Sequence, residues 1–188
     1  MDHGDIEDQP RTASEVAERC LVLFSVVAAG HKEQTKDLVG WLRSEGLWHA
    51  VSPREAAFLE AEDPTRQQQI NATWRAESLL PLLWALGRIQ GIPDPSDIIS
   101  LEAMQEVLPP IFGATSEFVA RAALRPEEEI WDVREATYQA HWAVVDARIN
   151  GRPAPDGLNA GVLYERHHAL NWLIGYCGQD WDDVTTDT

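Results

Sequence analysis

Glu165-Arg166-His167-His168 places a carboxylate, a guanidinium and two imidazoles on consecutive positions of an otherwise apolar stretch. A histidine beside carboxylates can serve as a general base, and a Glu-x-x-His step is half of what a carboxylate-bridged di-iron bundle uses. The chain holds no second Glu-x-x-His, and no Ser or Cys stands in a nucleophile-elbow context. His167 and Asn171, one helical turn apart, offer donors to a divalent cation together with Asp182, Asp183 and Asp187, but those acids have no loop framework around them. The expectation is therefore no metal and no cofactor.

A broader test asks which charges fall inside apolar stripes, because an ionised group is not buried without a partner. At 100° per residue, Glu165 and Arg166 point into the arc formed by Val162, Ala169, Trp172, Leu173 and Tyr176. On the preceding helix Trp131, Val133, Tyr138, Trp142, Val144 and Val145 form the expected buried arc, and Arg134 and His141 lie within it. Glu77 shares a side with Ile70, Trp74 and Trp84, and Arg75 is its neighbour. Arg75, Glu77, Arg134, His141, Glu165, Arg166, His167 and His168 thus form one candidate polar cluster. Such a cluster either fixes how helices dock or constitutes a site.

The elements that position these residues are all helical. The stretch 74–91 carries leucine or tryptophan on every side of a helical wheel between Leu79 and Leu86, so it must be buried. It belongs to a helix over about 64–90, opened by Asp63-Pro64 and interrupted by Pro81, around which the other helices pack. Thr12 and Glu15 spell a capping box for a first helix over about 12–29, and a second follows over about 32–45. Ser52-Pro53-Arg54-Glu55 opens a third. Residues 92–99 read as a Pro/Asp loop, short helices follow at about 101–108 and 117–124, and Pro126 with three glutamates opens a long one that Asn150-Gly151 closes. The last helix covers about 159–176. Trp181 and Val184 are two apolar anchors in the acidic tail, so residues 180–186 are expected to dock. No segment alternates as a strand does. The expected fold is all-α, a single-domain multi-helix bundle at 12–188 behind a disordered N-terminus at 1–11.

Composition bounds the function. At 188 residues the chain fits one domain with a sizeable core, and its eight tryptophans read as core anchors. A net charge of −16 argues against a nucleic-acid backbone as partner and leaves a protein with a basic surface. Cys20 and Cys177 form no C-x-x-C pair, the start of the chain is acidic where a signal peptide is basic, and no apolar run is long enough to span a bilayer. A cytoplasmic protein without membrane attachment is expected; the oligomeric state is not legible.

WLRSEGLW followed by SPREAAFL, then WRAESLLPLLWALG, HWAVVDAR, ERHHALNWLIGY and the closing WDDVTTDT resemble the bacterial family called domain of unknown function 4272, over about residues 11–188. The ERH-x-ALNWL and WD-x-V-x-x-DT segments are the most specific part. The resemblance implies no activity and no catalytic residues. The family often has an arginine two positions before the His-Trp pair, where this chain has Gln139. The expected function is a non-enzymatic protein-interaction or regulatory module; the alternative is a hydrolase-like enzyme, metal-dependent in one form, using the Glu165–His168 region.

Overall fold

A computed structural model describes residues 9–32, 35–99 and 102–188. Eight α-helices occur among them and no strand: α1 Ala13–Gly30, α2 Thr35–Ser44, α3 Pro53–Leu59, α4 Arg66–Ala85, α5 Glu102–Gln105, α6 Ser116–Ala120, α7 Glu127–Ile149 and α8 Ala160–Leu173. Among the described residues no helix is long and apolar enough to cross a membrane.

Local signals set the helix starts. Thr12 and Glu15 close a reciprocal capping box on α1, and Ser52 and Glu55 do the same on α3 with Pro53 in its first turn. The central helix starts at a third capping box, Thr65 with Gln68, rather than at Asp63-Pro64. It ends at Ala85, five residues before the expected boundary, because Gly87 adopts φ +66° and closes the helix in the left-handed conformation. Helix α4 runs on through Pro81, which is itself buried.

The helices stack as α1, α4, α8 and α7 in that order: α4 packs on α1 with one side and on α8 with the other, and α7 covers α8. Every residue of α4 from Ala76 to Ala85 is buried, as an all-round apolar sequence requires. Its first turns are polar and exposed, and Ile70, expected on the buried side, is 39% exposed. The centre is shared with α1, which is buried without interruption from Arg19 to Gly30. The smaller helices α2, α3 and α6 close the remaining sides of α1.

Helix α7 departs from its expected packing. His141 and Val144 of the expected arc are buried, but Trp131, Val133, Tyr138 and Val145 are half-buried and Trp142 is 47% exposed. Its apolar residues are spread around the whole helix, and only the side carrying Ile130, His141, Val144 and Ala147 is buried.

Residues 9–11 and the C-terminal tail meet at the C-terminal end of α8. The peptide N–H of Arg11 donates to Leu173 O, and its guanidinium donates to Trp172 O and Gln179 O. Gln9 crosses so close to Gly175 that a Cβ there would clash with the Gln9 carbonyl oxygen. Residues 9–11 of the expected N-terminal tail therefore pack on the domain, while 1–8 lie outside the described residues. Trp181 and Val184 are 5% and 7% exposed, so the acidic tail docks through these two anchors.

Candidate functional site

Helix α8 carries the densest run of buried polar groups, Glu165 to His168 plus Asn171, because it is enclosed by α4, α7 and the C-terminal tail. The four consecutive side chains point in four directions 100° apart, so between them they reach α4, α7 and the tail.

Arg166 faces α4. Its Nε donates to Glu77 Oε2 at 3.0 Å, and Nη2 lies 2.9 Å from the same oxygen without the alignment of a hydrogen bond. The pair is almost wholly enclosed, at 4% and 1% side-chain exposure. Both partners reach onward to the 92–99 loop: Arg166 Nη1 donates to Pro93 O at 2.6 Å, and Glu77 Oε1 accepts from Ile99 N at 2.7 Å. One ion pair thus joins α4 to α8 and holds both ends of a Pro-rich loop that has no helical hydrogen bonds of its own.

Glu165, the preceding residue, faces the same helix and meets the residues on either side of Glu77. Its Oε2 accepts from half-buried Arg75 at 2.8 Å and from Ser78 Oγ at 2.6 Å. Burial pushes its carboxyl above the usual carboxylate range, and the Arg75 charge opposes that shift.

The histidines face α7 and the tail. His167 Nδ1 lies 3.1 Å from His141 Nδ1, so one ring donates to the other, and His167 Nε2 is buried without a hydrogen-bond partner. His168 stands edge-on to Trp181 at 4.7 Å between ring centres, and its Nδ1 is buried and unpartnered. Burial holds both imidazoles down at about 4 and also lowers His141, so all three are neutral at pH 7.

Arg134, the last member, is half-buried; its Nε donates to Asn171 Oδ1 at 2.9 Å and its guanidinium lies over Tyr138 and Tyr176. Asn171 Nδ2 then donates to Thr185 O in the tail.

All eight residues singled out in the sequence therefore lie along one seam around α8, where α4, α7 and the tail meet it. They form separate contacts rather than one convergent centre. A cleft of about 540 Å³ bounded by Trp84, Pro93, Val133 and Leu163 reaches Arg166, but none of the histidines or glutamates of the cluster lines it. Among the described residues no group of three or more His, Cys, Asp or Glu side chains is placed to hold a metal. Asp182 and Asp187, considered as ligands, bond Ser52 with the Arg54 backbone and Thr185 respectively.

A second buried pair escaped the sequence reading. Arg19, 2% exposed, donates to Glu55 Oε2 at 2.8 Å and to Ala50 O, and its guanidinium lies 4.7 Å over the Trp181 ring. The signal is Arg19 adjoining the apolar run Cys20 to Ala29, on a helix buried on all sides from Arg19 onward. Uncharged Ser78 gives no such signal, and Asn171, named above only as a donor to a cation, instead links Arg134 to Thr185.

Trp181 is the point where these parts meet: His168 and Trp172 stand edge-on to it, Arg19 lies over it, and the next residue, Asp182, caps the start of α3. The SPREAAFL and WDDVTTDT segments are thus brought together in space, on the wall of a cleft of about 560 Å³. No curated protein and no solved structure matches the chain. The family model described as domain of unknown function (DUF4272) matches residues 3–184, nearly the whole chain, and the chain belongs to that family.

Proposed function

We propose that the chain is a non-enzymatic protein-interaction or regulatory module of the cytoplasm, acting on a protein that presents a basic surface. The observation that carries this reading is the enclosure of the Glu77–Arg166 pair, with its onward bonds to Pro93 and Ile99. Each charge of the seam is engaged in holding a helix, a loop or the tail, which leaves recognition to the surface, and that surface carries most of a net charge of −16. Reconstitution tests it. The partner cross-linked in the native host is purified and titrated against the wild-type chain and a folded His167→Gln/His168→Gln variant. Equal affinity for both, falling as salt rises, is the expected result. A substrate converted by the wild type and not by the variant would replace this reading.

The second reading, a hydrolase-like enzyme working from Glu165–His168, is favoured by the two unpartnered imidazole nitrogens on His167 and His168. A neutral imidazole with a free nitrogen is the chemical requirement for a general base. In its metal-dependent form, a metal analysis of the purified protein separates the two readings.

A further inference from the structure

Helix α7 has an apolar seam that the fold covers only in part. Trp131, Glu135, Tyr138, Trp142, Val145 and Ile149 follow one another at steps of four, three, four, three and four residues. That is the a/d spacing by which one helix packs along another, knob into hole. The buried side of α7 is a different one, carrying His141, Val144 and Ala147. The N-terminal end of the seam is shared with the core through Trp131, and Tyr138 leans on His167, but Trp142 and Ile149 are 47% and 74% exposed. Tyr164 of α8, also exposed and edge-on to His141, extends the patch sideways. Among the described residues the other large exposed apolar side chains, Ile70, Ile98 and Phe112, lie on three separate segments.

Charge decides what fits. Helix α7 carries six acids, Glu127, Glu128, Glu129, Asp132, Glu135 and Asp146, against Arg134 and Arg148. Glu135 occupies a seam position. Glu135 has only the Arg134 guanidinium at 3.4 Å and the Gln139 amide beside it, and a second copy, parallel or antiparallel, would desolvate that carboxylate at an interface between two chains of charge −16 without adding a cation to it. A helix with Lys or Arg beside its apolar stripe answers both features, the exposed seam and the acid on it.

We propose that this outer face of α7 is the docking site for an amphipathic helix of a partner protein, apolar along one stripe and flanked by Lys or Arg. The inference rests on the interaction-module reading and names its surface and the chemistry of its partner.

The probe is a synthetic three-heptad helix with Leu at a and d and Lys at e and g, titrated calorimetrically into the full-length chain, beside a peptide with Glu at e and g. Expected are one-to-one binding of the Lys peptide, no binding of the Glu peptide, and a loss of at least tenfold in Trp142→Glu and Ile149→Glu. Ile98→Glu, an exposed site elsewhere, leaves the affinity unchanged, and circular dichroism verifies the fold of each variant. Glu135→Lys weakens the Lys peptide and admits the Glu peptide. No binding of the Lys peptide, or binding that Trp142→Glu leaves unchanged, overturns the proposal. So does wild-type self-association that Trp142→Glu abolishes, which assigns the face to a second copy, or adsorption to phosphatidylcholine vesicles that it abolishes, which assigns it to a membrane. If the reconstituted native partner binds Trp142→Glu as well as wild type, the interaction reading stands and only this surface is wrong.

Discussion

Burying His167 and His168 as neutral rings makes the fold sensitive to mild acid. Both imidazoles are held at about 4 against an ordinary 6.5, chiefly by burial, with repulsion from His141 and Arg134 added at His167 and from Arg75 at His168. Above pH 6.5 the rings are neutral in both the folded and the unfolded chain, and they contribute no pH dependence. Between 6.5 and 4 the unfolded chain takes up protons that the folded one excludes, so stability falls as pH falls. At 1.36 kcal/mol per pH unit, lowering the pH to 5 costs about 2 kcal/mol for each ring and about 4 kcal/mol for the two. His141, lowered in the same direction, adds to the loss; Glu165, whose carboxyl burial raises, offsets part of it at the acid end. With a urea dependence of about 2–3 kcal/mol per molar, the unfolding midpoint should drop by roughly 1.5 M between pH 7 and pH 5. His168→Gln, whose amide does not titrate, should remove about half of that drop whatever it does to the midpoint at pH 7. A midpoint that stays level from pH 7 to 5, or a slope unchanged in both His167→Gln and His168→Gln, refutes the neutral-burial argument.

Trp181→Ala removes the ring on which Arg19, His168 and Trp172 converge, and should cost about 3–5 kcal/mol. Hydrogen exchange at residues 180–185 should rise with it; amides as protected as in the wild type would show that the tail is held by other contacts. Leu83→Ala, at a fully buried position in α4, should cost about 2–5 kcal/mol in urea unfolding, and a loss under about 0.5 kcal/mol would place Leu83 outside the core.

What was legible in the sequence follows the strength of the local physics. The capping boxes at Thr12 and Ser52 need only three residues of context, and both helices begin where those residues indicate. The all-round apolar stretch 76–86 had a single physical solution, burial. Charges set in the arc of α8 required partners, and Glu77 and Arg75 supply them to Arg166 and Glu165. Two things were not local. Helix α7 has apolar residues on nearly every side, so which side faces α8 depends on the packing of both, and Trp142 was placed on the wrong one. The partners of Arg19 lie 36 residues away at Glu55 and in the tail, a proximity that no periodicity encodes.

The central claim, that the buried charges of the α8 seam fasten helices together, is tested most directly by a double-mutant cycle on Glu77 and Arg166. Arg166→Met strands a carboxylate with no solvent exposure and removes the donor to Pro93 O, and should lower stability by about 3–5 kcal/mol. Replacing both residues, Glu77→Leu with Arg166→Met, leaves an apolar contact of similar volume and should recover most of that loss in urea unfolding. A single variant that unfolds at the wild-type midpoint, or a double variant no more stable than the single, would contradict the claim.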